Sequence, residues 1–427
     1  MTHTISNMEN QVLVAIDIAK LQNDVLIHQP DGTRKAFKVA NKMVDYEDFT
    51  RYLKSFGRQC LIGFEATGNY HRPLAYYLLQ QGFELRFVSS LAAARTREAL
   101  YNSWDKNDPK DAQVILHMLK TGLTQVYHDP LHENINDIKE LSQTHYQISQ
   151  HKVRIQHSIM THYLPLYFPE AQRFFHASRA EWLTAMLIRF PVISAITQYT
   201  REQFIEEAWD VAGRKVSKRA ILSEFYQAAR TSIGLPVSED SMAAQMFRVI
   251  LSEHQALCRI RAQTELQADA FLQGNPDYQR LRTLPGIGPI IALTILAESG
   301  DLRRFAHYRQ FLKFCGFDLS TQQSGRFRGT SKLSKHGNAR LRYVFWLAAT
   351  VAIRQRENSF RTKYENYIKN DPANKDLKRK GYTAIAAKMA RVAHAIIKNG
   401  TDYRCYYESE IPSGRIPSQG PLRQLTS

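Results

Sequence analysis

The sequence predicts an α/β amino-terminal domain, a long helical, coiled-coil-like middle and a mainly α carboxy-terminal domain. Three patterns predict it. Short apolar runs separated by turn residues fill the first 90 positions, a three-four hydrophobic spacing runs through much of the middle, and a glycine-bearing turn joins two helical segments near residue 285. The length of 427 residues allows two or three domains. A hydrophobic share of 44% and a charged share of 23% are ordinary for a packed globular chain. The expected divisions are 10–125, 130–275 and 278–405, with a flexible tail over 406–427 that is rich in Pro, Gly and Ser.

The first elements follow from local chemistry. Val12 to Ile16 is a continuous apolar run, Val25 to His28 follows Asn23-Asp24, and Ala36 to Val39 follows the turn Pro30-Asp31-Gly32. Such short turns imply an antiparallel meander. Val44, Phe49, Tyr52, Leu53 and Phe56 then fall at helical spacing. Cys60 to Phe64 reads as a buried strand ending at Glu65, the helix Arg72 to Gln81 stops at Gly82, and Glu84 to Val88 is a further strand. Another helix starts at Pro109. Strands alternating with helices predict a mixed sheet covered on both faces, in the order of a ribonuclease H-like core.

From about residue 133, Ile138, Leu141, Ile148, Ile155 and Ile159 keep a three-four spacing that His145 and Lys152 interrupt. This predicts a helical arm or imperfect coiled coil, a candidate dimer seam. Residues 164–235 read as an aromatic-rich helical insert around Trp182, Phe190 and Trp209, and a second long helix runs from Ser241 to about Phe271.

The net charge of +17 is concentrated. Residues 301–427 hold 25 Lys and Arg against 9 Asp and Glu, a balance of +16, while the first 300 residues are nearly neutral. The carboxy-terminal third therefore carries the attraction for a polyanion. Cys60, Cys258, Cys315 and Cys405 show neither zinc-site nor disulfide spacing and read as reduced small hydrophobes. No apolar run of about 18 residues predicts a membrane span, and no signal pattern opens the chain. The expected location is cytoplasmic, with nucleoid association during action.

Four acids stand out. Asp17 follows the first strand and Glu65 the fourth, strands that are neighbours in such a sheet. Asp108 and Asp111 lie three apart at a helix start and share a face. Converging carboxylates suit hard divalent cations such as Mg²⁺, which can activate an attacking oxygen and stabilise a leaving one. Each also has a plain structural role open to it: a strand end, a loop position, or a helix start with N-cap, proline and dipole-facing acid.

In the carboxy-terminal region, Leu284-Pro285-Gly286-Ile287-Gly288-Pro289 has a helix-hairpin-helix pattern. Its Gly286 and Gly288 would let backbone N–H groups approach a phosphate, beside a helix terminus. The loop Gln322-Gln323-Ser324-Gly325 offers a serine hydroxyl. Arg326, Arg328, Lys332, Lys335, Arg340 and Arg342 could hold a phosphodiester beside it. His336 is the nearest histidine in sequence, and none is obviously placed as base. Read without further context, Ser324 is also an ordinary polar loop residue. The Ala-rich helix Thr383 to Lys398, with Lys388 and Arg391, reads as structural.

Taken together, these motifs resemble transposases of the insertion sequence 110 family. The resemblance is carried by Ala-Ile-Asp17-Ile-Ala-Lys, Phe-Glu65-Ala-Thr-Gly-Asn-Tyr, Lys-Asn-Asp108-Pro-Lys-Asp111-Ala, the Leu-Pro-Gly-Ile-Gly-Pro turn, Gln-Ser324-Gly and Lys-His-Gly-Asn-Ala-Arg340-Leu-Arg342. It covers roughly residues 10–125 and 278–403. It implies a RuvC-like domain whose DEDD acids Asp17, Glu65, Asp108 and Asp111 bind Mg²⁺, and a catalytic Ser324 that joins transiently to a DNA phosphate. It further implies double-stranded DNA as donor and target, a structured non-coding bridge RNA as guide, and a homo-oligomer in which acids and serine come from different protomers. Asn107 departs from the threonine frequent in that place.

Three other readings remain open from the sequence. A junction-resolving nuclease would keep the acids and use metal-activated water instead of Ser324. An actin-like sugar kinase would share a related core, but a second Asp-x-Gly loop and a glycine-rich adenosine site are missing. A non-enzymatic nucleic-acid scaffold is the last.

Overall fold

The computed structural model describes residues 10–66, 68–101, 108–175, 180–212, 217–320, 323–324, 327–328, 332–355 and 358–405. The chain divides into two compact units, Met1–Asn136 and Asp137–Ser427.

The first unit is built on β1 (Val12–Asp17), β2 (Gln22–His28), β3 (Arg34–Ala40), β4 (Cys60–Glu65), β5 (Glu84–Val88) and β6 (Gln125–Val126). They form one sheet in the order β3-β2-β1-β4-β5-β6. The first three strands are antiparallel, β1, β4 and β5 run parallel, and β6 returns antiparallel to β5. This is the mixed, ribonuclease H-like order expected from the sequence. β1 is buried almost throughout because Val12, Val14 and Ile16 face one helical layer while Leu13 and Ala15 face the other. The first layer holds α1 (Met43–Ser55) and α2 (His71–Gln80), which bury Phe49, Leu53, Leu74 and Leu78. The second holds α3 (Ser90–Tyr101) and α4 (Asp108–Lys120), which bury Ala93, Val114, Ile115 and Leu119. The sequence reading lacked α3, whose run of small and charged residues has little apolar periodicity.

In the second unit, α5 (Asn136–Ser158) leads into α6 (Leu164–Tyr167), α7 (Ala180–Arg189), α8 (Ile193–Thr197), α9 (Arg201–Glu207) and α10 (Lys218–Arg230). Aromatic side chains of these helices and of the segments between them make one core of Phe168, Phe174, Trp182, Phe190, Phe204 and Phe225. The long α11 (Met242–Leu272) starts where Ser241 caps the Ala244 amide, one residue from the expected start. His145, which interrupts the apolar stripe of α5, is buried and meets Glu265 of α11 at 3.0 Å. A polar residue stands in that stripe because its partner is another helix.

The rest is α12 (Pro276–Arg282), α13 (Pro289–Ser299), α14 (Tyr308–Phe314), α15 (Ala339–Ala352), α16 (Ser359–Ile368) and α17 (Lys375–Asn399). Between α14 and α15 lie four two-residue strands, β7 (Leu319–Ser320), β8 (Gln323–Ser324), β9 (Phe327–Arg328) and β10 (Lys332–Leu333). β7 pairs with β10 and β8 with β9. The four cysteines are free, with Cys60 and Cys315 buried; burial pushes the Cys60 thiol up to about 11. No helix of the described residues is long and apolar enough to cross a membrane.

Candidate functional site

Register decides where the first two acids stand. β1 and β4 pair in parallel with Ile16 opposite Phe64, so Asp17 and Glu65 are the next positions on adjacent strands. Strand spacing then puts their backbones about 5 Å apart. Alternation decides which way they face. Asp17 shares its side of β1 with Leu13 and Ala15, and Glu65 shares its side of β4 with Leu61 and Gly63, the side covered by α3 and α4. Both side chains are half-buried.

The same layer brings the third acid. At the far end of α4, Lys120 meets His28 at 2.8 Å, and His28 lies opposite Leu13 at the start of β1. From there α4 runs back towards the Asp17 end, and Asp111 is nine residues, or roughly 13 Å, along it. Leu13 to Asp17 covers a similar rise of roughly 13 Å along β1. Gly63 permits this approach, because a Cβ there would sit 2.7 Å from Leu119 Cδ2. Asp17, Glu65 and Asp111 are thus brought to one end and one face of the sheet.

Asp111 is not idle there. Its side chain is 5% exposed, and its Oδ1 accepts from Arg97 Nε at 2.8 Å and also from Arg97 Nη2. Arg97, on α3, is a functional candidate that the sequence reading missed, and nothing in its local sequence marks it. Three carboxylates are the oxygen donors that a hard divalent cation takes. Among the described residues, however, no three His, Cys, Asp or Glu side chains stand close enough to hold one. Of these acids, Asp111 is already engaged by Arg97. The side chain of Asp108 lies outside the described residues, as does Asn107.

In the second unit, α12 and α13 are joined by the turn Thr283–Gly288, which lines a groove of about 550 Å³ with Arg282, Ile291, Leu347 and Val351. The two glycines of this turn do different work. Gly286 has φ +82° and an added Cβ would meet the Ala348 carbonyl oxygen at 2.3 Å, so its lack of a side chain serves the packing of the turn on α15. Gly288 is the N-cap of α13 with open space where a Cβ would be. Both glycines line the groove and are half-buried.

Ser324 belongs to β8, and its partner in β9 is Phe327, with Gln323 opposite Arg328. Gly325 and Arg326, and the side chains of Ser324 and Arg328, lie outside the described residues. Lys332 and Lys335 are exposed. Lys335 takes φ +57°, a left-handed conformation that costs a non-glycine residue about 1 kcal/mol. Arg342 Nη1 steadies this turn by donating to the Lys335 carbonyl at 3.2 Å and, more weakly, to that of Cys315 at 3.4 Å.

Arg340 departs from the expectation of a phosphate-facing cation. Its Nη1 donates to Glu298 at 2.6 Å and Gln143 at 3.0 Å. Its Nη2 donates to the Ser142 hydroxyl at 3.0 Å and carbonyl at 3.1 Å, and the guanidinium lies 4.6 Å from the Tyr146 ring centroid. The guanidinium is spent inside the protein, fastening α15 to α5 and α13.

Known proteins match this chain in two places. Residues 14–169 match a family described as Transposase, the DEDD domain of IS110 elements, and residues 278–365 match the Transposase IS116/IS110/IS902 family. The chain thus matches two transposase domains of the IS110 type, in order along its length. Among relatives, the probable family 20 transposase of Pseudomonas aeruginosa is 29% identical over 163 residues, 38% of this chain and 47% of that protein. The transposase for insertion sequence element IS1111A of Coxiella burnetii is 26% identical over 177 residues, 42% of this chain and 47% of its own length. The chain thus spans about half the length of these two. An IS110 element protein of Streptomyces coelicolor is 23% identical over 341 residues, 78% of this chain and 79% of that protein. Thermus thermophilus RuvC with a Holliday junction substrate superposes on 27% of this chain and 99% of its own, at 9% identity and a TM-score of 0.20. The fold assignment rests on the strand order instead.

Proposed function

We propose that this IS110-family chain is a DNA recombinase that cuts and rejoins strands to excise and insert its mobile element. The observation that carries the reading is the β1–β4 register, which sets Asp17 beside Glu65 on the face covered by α4, in a chain with both transposase domains. Asp17, Glu65, Asp108 and Asp111 would hold divalent metal, Mg²⁺ by donor chemistry, and that charge would offset the negative charge gathering on a phosphodiester. Asp111 joins the set only when Arg97 releases it.

In this reading Ser324 Oγ attacks the phosphorus. A serine–phosphate ester forms, the bond to one deoxyribose oxygen breaks, and that oxygen leaves as a hydroxyl carrying the proton lost by the serine. Attack by a hydroxyl from another strand reverses the exchange, so the number of phosphodiesters is conserved. Arg326, Arg328, Lys332 and Lys335 would grip the phosphate, while Gly288 at the start of α13 would receive a neighbouring one. Arg340 is left out, because its donors are taken.

The family resemblance supports double-stranded DNA as donor and target, a structured non-coding RNA as guide, and a homo-oligomer as the active unit. It also supports action in the cytoplasm, at the nucleoid. The test is strand cleavage of a supercoiled plasmid bearing the element's ends, with guide RNA and Mg²⁺. Glu65→Gln and Ser324→Ala should both abolish cleavage while DNA binding survives. Cleavage by Ser324→Ala alone would support the resolving-nuclease mechanism, and cleavage by Glu65→Gln would remove the acids.

A further inference from the structure

Two exposed aromatic rings on α15 continue into the half-buried Tyr382 and the buried Tyr364, and the proposed strand-exchange site uses none of them. On the outer face of α15, Tyr343 is 60% and Trp346 40% exposed, and their rings stack with centroids 6.5 Å apart. Trp346 meets Tyr382 of α17 at 6.3 Å, and Tyr382 meets Tyr364 of α16 at 5.0 Å. Gly381 allows this convergence, since a Cβ there would lie 2.9 Å from the Tyr364 ring. Beside the ladder, residues 359–391 hold nine Lys and Arg against three Asp and Glu. Two of those acids already pair with Arg361 and Arg379. Lys363, Lys378 and Lys380 make no ion pair among the described residues.

We infer that the α15–α16–α17 face is a stacking platform for an unpaired nucleic-acid strand. Exposed aromatic rings with lysines on the neighbouring helices fit a polyanion that offers π-faces of its own. A duplex hides its base faces inside the stack and presents only phosphates to such a surface. A second copy docking through the same basic face would set its lysines against these. The inference rests on the reading that the carboxy-terminal third meets nucleic acid.

The test uses full-length protein with labelled oligothymidylate and oligouridylate of roughly 15 nucleotides, and a duplex of the same length, by fluorescence anisotropy. Tyr343→Ala with Trp346→Ala should weaken single-strand binding about 10-fold or more and leave duplex binding unchanged. Tyr343→Phe with Trp346→Phe should bind as the parent does, showing that the rings and not the fold are at issue. Adding oligothymidylate should quench tryptophan emission in the parent, and that quench should vanish in Trp346→Phe. A preference for the uridylate would assign an RNA strand, and equal affinity or a preference for the thymidylate an unpaired DNA strand. Unchanged single-strand affinity in the double alanine variant would overturn the inference, as would equal losses on strand and duplex. A changed sedimentation coefficient with intact strand binding would make the face a protein contact. Failure of the parent to bind any nucleic acid would instead overturn the wider reading.

Discussion

Replacing Gly286 with alanine separates packing from phosphate binding in the turn between α12 and α13. At φ +82° an L-residue is strained, at a cost of about 1–2 kcal/mol. The new Cβ would also lie 2.3 Å from the Ala348 carbonyl oxygen and 2.9 Å from the Ala352 amide nitrogen. Both are helix backbone, which cannot turn aside as a flexible side chain can, so overpacking adds about 1–3 kcal/mol. A loss of about 3 kcal/mol should lower Tm by about 6–12 °C in a unit of this size. Gly288→Ala has an ordinary backbone and open space, so it should cost no more than about 1 kcal/mol, yet it should weaken duplex binding. Differential scanning calorimetry and anisotropy on the two variants measure both effects. A Gly286→Ala protein with parental Tm and lost DNA binding would refute the packing argument.

Other variants probe the rest of the account. Arg97→Met should destabilise the first unit by about 3–5 kcal/mol by leaving Asp111 buried without its partner. Asp111→Leu in the same protein should restore most of that loss in urea unfolding, and additive losses would deny the coupling. Burial pushes the Asp277 carboxyl up, but hydrogen bonds and charge from Arg303 and Arg280 outweigh it and hold its pKa below the usual value. A depressed acid stabilises above its unfolded pKa of about 3.9 and loses that contribution as pH falls through the folded value. The Tm gap between the parent and Asp277→Asn should therefore be full at neutral pH and close as pH drops below about 4; a constant gap would exclude the ion pairs as its source. Lys332→Gln with Lys335→Gln should make the salt dependence of duplex binding shallower by about 2 in log–log slope, and an unchanged slope would take both off the phosphate surface.

The sheet was legible because its central strands are short apolar runs and the turns between its first strands carry Asn, Asp, Pro or Gly. The positions of Asp17 and Glu65 followed directly, since each closes such a run. What was not legible depended on distant partners. Arg340 looks like any surface arginine until Ser142, Gln143 and Glu298 are brought to it by the fold. Arg97 is equally anonymous before α3 packs on α4, and α3 itself, poor in large apolar residues, gave no periodic signal. The packing role of Gly286 was not legible either, because its neighbour Ala348 is 62 positions away in sequence. The hairpin holding Ser324 escaped notice because strands of two residues are too short to show alternation.

The most direct measurement is to trap the protein on DNA carrying the element's end in Mg²⁺, denature it, digest both polymers, and map the nucleotide-bearing peptide by mass spectrometry. The account requires the added mass on Ser324, absent from Ser324→Ala and from Asp17→Asn. Attachment at any other residue, or full cleavage with no attached nucleotide, would contradict it.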